Sequence, residues 1–256
     1  MVRPVTPAIS RAKNSEIIIA SDISGVGLAM GAIPFATGIS KFGLNETIGT
    51  TDQTIWDAGG LYPWPEVSDT LTIVSDNVND TAAGTGARSI IVEGLDENFL
   101  MQEELIILNG LTPIVTTKTW SRVHRSFVTT GGSLGEAQGV ILLSHTTSGD
   151  LLANIQGHNN QTLQSLYTIP ADKNGYVKLG KLSAGRGKEV RLSFYFRPPG
   201  GVFVLGAVAI VYENNYDYEF FSGSLLPSKT DIDIRARCDT GTVVVAAAFD
   251  LILIDV

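Results

Sequence analysis

Short runs of alternating or continuous apolar residues, separated by turn-forming residues, recur from about residue 70 to the end of the chain. In Asp231–Cys238 apolar and charged residues alternate strictly. Because successive side chains of a strand point to opposite faces, this run predicts a strand with one buried and one solvated face. Glu189–Arg197 alternates in the same way, whereas Val202–Tyr212 and Val243–Ile254 are apolar on both faces. The latter pattern is typical of a central strand or of a strand that contacts another subunit.

Further strand candidates follow one another at about the 8 to 12 residue spacing of sandwiches and barrels. They are Thr70–Ser75, Arg88–Leu95, Gln102–Leu108, Pro113–Thr119, Val123–Thr130, Gly139–Ser144, Leu151–Gly157, Thr162–Ile169 and Tyr176–Leu182. Evidence for helices is scarce, and so many strands in one open sheet would leave long exposed edges. The sequence therefore predicts an all-β protein in which residues 61–256 form a jelly-roll-like two-sheet β-sandwich.

Residues 1–60 have a different pattern, because glycine and proline interrupt them so often that no long strand or helix is expected. We predict an extended N-terminal arm, which at about 3.3 Å per residue spans on the order of 200 Å. The arm is too apolar for a solvated linker, so it is expected to pack against its own sandwich, a neighbouring copy or another protein. The residues expected to bind a partner are Ile17, Ile18, Ile19, Leu28, Met30, Phe35, Phe42, Trp56, Tyr62 and Trp64.

The aromatic residues Trp56, Tyr62 and Trp64 form a cluster at the end of this arm. Exposed rings at this spacing would stack on sugars, as in a carbohydrate-binding module. Buried rings would instead anchor the arm to the sandwich, because aromatic side chains supply large contact areas to irregular segments. We favour anchoring and keep carbohydrate binding as the alternative.

Residue patterns for catalysis or metal binding are weak. The loop Asp76–Asp80 collects oxygen ligands that suit calcium, but it lacks the spacing of an EF-hand. Gly25–Gly31 is similar to a dinucleotide-binding turn, yet Pro34 falls where the helix of that turn would continue. The three histidines lie on separate segments, and no nucleophile elbow is found. We expect no catalytic, cofactor-binding or metal-binding residues, no cofactor, and a protein that is not an enzyme.

The charge balance is acidic, with 18 Lys and Arg against 26 Asp and Glu and a net charge of -8. This balance argues against direct binding of nucleic acid, which needs a basic face. A single cysteine excludes an internal disulfide. The N-terminus lacks the apolar core of a secretory signal, and the most apolar run, Thr242–Val256, is too short for a membrane helix and contains Asp250. We therefore expect no export signal and no membrane partner.

Several stretches are similar to one family of proteins. Residues Gln53–Tyr62, Gly84–Gly110 and Trp120–Arg125 carry most of the similarity, and Pro227–Arg237 and Phe249–Asp255 add to it. Together they resemble virion structural proteins of tailed phages that infect cyanobacteria and marine bacteria, over about residues 50–256. The family offers no catalytic residues to transfer.

The resemblance implies a capsid decoration (cement) protein located in the virion, at the capsid surface. Its expected partner is the major capsid protein, and a homotrimer is expected because decoration proteins often act as β-rich trimers. Arms that bridge adjacent capsid subunits stabilise the assembled shell, since many weak contacts on a repeating lattice add through effective concentration. The alternative is a tail or fibre component with a carbohydrate-binding β-sandwich.

Overall fold

The computed structural model describes residues 25–29, 31, 33–212, 215–219 and 225–256, and nearly all of its regular structure is β-strand. Four of the predicted partner-binding residues, Ile17, Ile18, Ile19 and Met30, lie outside the described residues. The elements are α1 (Gly25–Ala29), β1 (Ala36–Ile48), β2 (Gln53–Thr54), β3 (Asp69–Ser75), β4 (Ala87–Leu95), β5 (Met101–Ile107), β6 (Ile114–Trp120), β7 (Arg122–Gly131), β8 (Ile141–His145), β9 (Leu151–Ile155), β10 (Leu166–Thr168), β11 (Lys173–Ala184), β12 (Glu189–Arg197), β13 (Val204–Tyr212), β14 (Asn215–Glu219), β15 (Leu225–Leu226), β16 (Asp231–Cys238) and β17 (Val243–Asp255).

The strands form four antiparallel sheets. One five-stranded sheet has the order β1-β17-β11-β14, with β15 also paired to β11, and the other has the order β10-β16-β12-β13, with β2 also paired to β16. The remaining strands form a four-stranded sheet, β6-β3-β8-β9, and a three-stranded sheet, β5-β4-β7. The prediction of an all-β protein is confirmed.

The four sheets enclose two apolar cores. The two five-stranded sheets share the first core, with Phe194 and Phe249 among its largest fully buried side chains, and we call this unit the large sandwich. The four-stranded and three-stranded sheets share the second core around Trp120, and we call it the small sandwich. Each two-layer unit is compatible with a sandwich of jelly-roll type, but residues 61–256 contain parts of two cores rather than one.

The prediction that residues 1–60 contain no long strand is wrong for residues 36–48. This segment is β1, which pairs antiparallel with β17 along almost its whole length. Its glycines permit close packing instead of interrupting the strand. A Cβ atom on Gly43 would lie 2.4 Å from the Ile55 carbonyl oxygen and 2.4 Å from the Ser165 nitrogen. The absence of a side chain at Gly43 therefore allows three backbone segments to pack closely together.

The charged face of β16 is buried at one end, whereas the alternation predicts a solvated face. Ile232 and Ile234 lie in the large core, as predicted. On the opposite face Asp231 is 3% exposed and Asp233 is fully buried, because groups from the small sandwich and from the segment before β3 pack on them. Strand β16 thus forms part of the joint between the two sandwiches.

Candidate interaction surfaces and buried polar sites

The aromatic cluster Trp56, Tyr62 and Trp64 is buried in the small core. The Trp56 and Tyr62 rings lie 5.2 Å apart and the Tyr62 and Trp64 rings 4.9 Å apart, both edge to face. Trp56 Nε1 donates a hydrogen bond to the Gly60 carbonyl oxygen at 3.2 Å. The rings thus anchor residues 56–64 to the body, as the anchoring interpretation predicts, and present no open face to a sugar or a partner.

A buried ion cluster centred on Asp231 joins the two sandwiches, and we call it the charge hub. Asp231 Oδ1 accepts a hydrogen bond from Arg122 Nε at 3.0 Å, and Oδ2 accepts one from Arg197 Nε at 2.8 Å. Arg122 also donates to the carbonyl oxygens of Pro65 and Ser121. Arg122 lies on β7 of the small sandwich, whereas Asp231 and Arg197 belong to the large one. The charges are thus paired across the joint with charge-assisted hydrogen bonds.

Asp233 makes a second connection beside the hub. Its carboxylate accepts hydrogen bonds from Thr54 Oγ1 at 3.0 Å, Trp64 Nε1 at 3.1 Å and Arg235 Nε at 2.7 Å. Burial raises the pKa of Asp233, and the Arg235 charge acts in the opposite direction. Trp64 therefore links the aromatic cluster to β16 as well as filling the small core.

A cavity of about 300 Å³ lies beside the same joint, with walls from β1, β4, β5, β7 and the segment that leads into β10. The Lys41 ammonium is buried in its wall and donates a hydrogen bond to the His124 carbonyl oxygen. The pKa of Lys41 is lowered to about 7, first by burial and second by the nearby Arg125 charge, while the Glu93 charge acts in the opposite direction. The His124 ring stacks on Tyr167 with 4.0 Å between ring centroids. Burial also lowers the pKa of His124.

None of the sequence patterns points to Lys41 or Tyr167, and the sequence shows His124 only as one of three histidines on separate segments. The three residues lie on β1, β7 and β10, which are far apart along the chain. No spacing rule connects such positions. The sequence shows only a lysine in β1 and a histidine between Arg122 and Arg125 in β7, and the strand pairing is needed to bring the two together.

Strand β13 presents an apolar edge to solvent. Among the described residues it is the outermost strand of its sheet, and its segment Val204–Tyr212 contains no charged residue. Ala209 and Val211 point into the large core, while Ile210 between them is 66% exposed. The exposed apolar side chains of this surface, which we call the β13 edge, are Val204, Leu205, Val208, Ile210 and Tyr212. Uncovered apolar edges of this kind favour association with another chain.

Other apolar side chains are exposed at the edges of the small sandwich and beside β1. Strands β5 and β6 are each outermost in their sheets, and about half of the surface of Met101, Leu105, Ile107, Leu111 and Val115 is exposed there. Three predicted partner-binding residues lie on β1 or on the segment before it. Phe35 and Phe42 are exposed, and Leu28 is half-buried with its Cβ 3.7 Å from the Cβ position of Gly38.

The carboxylates of the predicted calcium loop cap backbone groups. Asp80 is fully buried, and its oxygens accept hydrogen bonds from the backbone N–H groups of Ala87, Gln138 and Gly139. Asp76 Oδ1 accepts the Val140 N–H at 2.8 Å. In the part of the chain that the structure describes, no group of three or more His, Cys, Asp or Glu side chains is placed to hold a metal ion.

No known protein family and no curated protein matches the sequence. Two solved structures that are similar to the chain come from infectious bursal disease virus. The structure of the Gt strain shares 13% identity over 90% of this chain and 77% of the viral chain, with a TM-score of 0.23. The crystal structure of the VP2 subviral particle shares 13% identity over 90% and 76%, with a TM-score of 0.24. Values this low do not establish a shared fold.

Among the described residues, no helix has the length and apolar character needed to cross a bilayer.

Proposed function

We propose that the protein is a non-enzymatic structural component of a virion, and specifically a decoration (cement) protein on the capsid exterior. In this proposal it binds the major capsid protein and acts as a homotrimer. The β13 edge is the observation that carries the proposal. The resemblance of residues 50–256 to virion proteins of tailed phages supports the same function.

The physical argument starts from the cost of leaving the β13 edge uncovered. A free strand edge with uncharged, exposed side chains such as Val208, Ile210 and Tyr212 is a template for pairing with another chain. A charged chain with a net charge of -8 stays soluble until a specific neighbour covers that edge. On a capsid lattice the same contact repeats at every copy, so modest affinity at each site gives a stable coat.

The substitution Ile210→Lys tests this function, with Val67→Lys as the matched control. Val67 is 76% exposed in the loop before β3, so a lysine there adds the same charge at a residue that is not part of the β13 edge. Both variants are mixed with virion shells that lack the protein, and binding is measured by co-sedimentation, with oligomeric state measured by light scattering. We expect Ile210→Lys to lose trimer formation and shell binding, and Val67→Lys to keep both.

Two results would overturn the proposal. The first is full shell binding by Ile210→Lys. The second is the absence of the protein from virions purified from the phage that encodes it, measured by mass spectrometry. A cryo-EM map of those virions distinguishes the capsid exterior from the tail.

The tail or fibre alternative with carbohydrate binding is not favoured by any observation at its predicted residues. Trp56, Tyr62 and Trp64 are buried, and their rings contact one another. A sugar would have to displace this packing before it could stack on any of the three rings.

A further inference from the structure

The cavity beside the joint contains a histidine whose proton position follows from its contacts. The backbone N–H of Thr168 donates to His124 Nε2 at 3.3 Å, so Nε2 carries no proton. A neutral imidazole then carries its proton on Nδ1. His124 Nδ1 is buried and has no hydrogen-bond partner among the described residues. His124 therefore supplies a buried donor without an acceptor.

Tyr167 supplies a second such group. Its side chain is 2% exposed, and its hydroxyl has no hydrogen-bond partner in the described part of the chain. The ring is held in place by stacking on His124. A buried tyrosine hydroxyl usually donates to an acceptor, and here that acceptor is missing.

Lys41 supplies a third, charged donor. An ammonium group has three N–H donors, and the structure gives Lys41 one acceptor, the carbonyl oxygen of His124. No described carboxylate lies within salt-bridge distance of Lys41. Arg125 adds another positive charge to the cavity wall, and among the described residues Glu93 is the one negative side chain that lines it.

Each of these groups can donate a hydrogen bond, and two positive side chains of the cavity wall face one negative one, so an acceptor that carries a negative charge suits all three. We propose that the cavity binds a carboxylate group through Lys41, His124 and Tyr167. One negative charge balances Lys41 and Arg125 against Glu93, whereas a phosphate dianion would exceed that balance. The volume of about 300 Å³ lies at the small end of ligand pockets. The apolar side chains of Phe42 and Met101 also line it and suit the carbon part of a small acid.

Two sources supply this chemistry: a free small carboxylic acid, or the side chain of Glu or Asp on a bound protein. Phe42 lines the cavity and is 44% exposed, so the cavity wall reaches the surface beside β1. The proposal does not depend on the proposed capsid function, because the unpaired donors are present whatever the protein binds elsewhere.

The experiment uses the full chain and follows the His124 ring nitrogens by NMR during titration. The free-acid arm uses acetate, butyrate and benzoate, with the corresponding amides as neutral controls. The protein arm uses glutamate capped at both ends as N-acetyl and N-methylamide, with capped glutamine as its control. We expect carboxylates to shift the Nδ1 resonance and to raise the melting temperature, and amides to do neither. The arm that responds at the lower concentration identifies the source.

Two variants test which residues bind the carboxylate. Lys41→Met should weaken binding by at least about tenfold, because a hydrogen bond to a charged group is lost. Lys178→Met, at an exposed position on β11, should leave binding unchanged. Tyr167→Phe removes only the hydroxyl and should weaken binding without loss of the fold, so it serves if Lys41→Met fails to fold. The proposal is wrong if no carboxylate shifts the ring resonance, or if binding by folded Lys41→Met equals that of the wild type.

Discussion

The charge hub and the cavity are two buried polar sites at the same joint between sandwiches, and they differ in how far their charges are paired. In the hub, the carboxylate of Asp231 accepts hydrogen bonds from both Arg122 and Arg197. In the cavity, the ammonium of Lys41 has one neutral carbonyl as its partner among the described residues. Both sites take positive charge out of water, but among the described residues only the hub holds a carboxylate in direct contact with its cations.

This difference separates a structural role from a binding role. A buried ion pair contributes when its partners are in place and is costly when one partner is removed. The charges of the hub are paired with one another in the fold, so the hub holds the two sandwiches together. In the cavity, the buried ammonium of Lys41 lowers the stability of the folded protein as long as no carboxylate is bound. We therefore expect the loss of a charged side chain to lower the stability of the protein at the hub and to raise it at the cavity.

The largest expected effect comes from breaking the hub. Asp231→Ala leaves the guanidinium groups of Arg122 and Arg197 without their carboxylate, and Arg122 is almost fully buried. We expect the free energy of unfolding to fall by about 3 to 5 kcal/mol, measured by urea denaturation. Asp172→Ala is the control, because the Asp172 side chain is 54% exposed and its pair with Lys173 spans 3.6 Å. That control should cost less than about 1 kcal/mol, and equal losses in both variants would remove the distinction between hub and surface pair.

The next effect is a gain in stability, which we expect when the buried cation Lys41 of the cavity wall is replaced by an uncharged residue. The folded pKa of Lys41, about 7, lies below the usual lysine value of 10.5, so the folded state binds fewer protons than the unfolded state between these values. The contribution of Lys41 to the stability of the ligand-free wild type therefore rises with pH from 7 to 10.5 and is lowest below pH 7. Lys41→Met removes this dependence. We expect it to stabilise the protein by on the order of 2 to 4 kcal/mol at pH 6 and by little near pH 10.

Urea denaturation of the wild type and of Lys41→Met at pH 6 and pH 9.5 measures this change in the free energy of unfolding. Lys178→Met, on the exposed surface of β11, provides the matched control and should show no pH-dependent gain. A loss of stability at pH 6 in Lys41→Met would mean that Lys41 is already paired in the free protein, and the contrast with the hub would fail.

The strands of the small sandwich were predictable because one face of each is apolar. The predicted Arg88–Leu95 corresponds to Ala87–Leu95, and the predicted Thr70–Ser75 corresponds to Asp69–Ser75. Alternation with period two records burial on one side of a sheet, and this information is local. Turn residues between the strands fixed their ends to within about two residues.

The joint and its two sites were not predictable, because they depend on contacts between distant segments. The alternation in β16 correctly placed Ile232 in the core, but it gave no sign that Asp231 on the other face meets Arg122 from β7. In β1, glycine has two opposite uses, as an interruption or as space for a neighbour. Only the approach of Ile55 and Ser165 to Gly43 decides between them.

The smallest effects are expected at two adjacent residues of β10, of which Thr168 contacts the charge hub and Tyr167 lines the cavity. Thr168 Oγ1 donates to Asp231 Oδ1 at 2.5 Å, whereas the hydroxyl of Tyr167 has no partner among the described residues. Thr168→Val removes a donor from a complete network and should cost about 1 to 2 kcal/mol of unfolding free energy. Tyr167→Phe removes a hydroxyl that is already unpaired and should change stability by less than about 0.5 kcal/mol or increase it. Urea titrations of the two variants resolve this difference, and a larger loss for Tyr167→Phe than for Thr168→Val would show that the cavity hydroxyl is satisfied in the free protein.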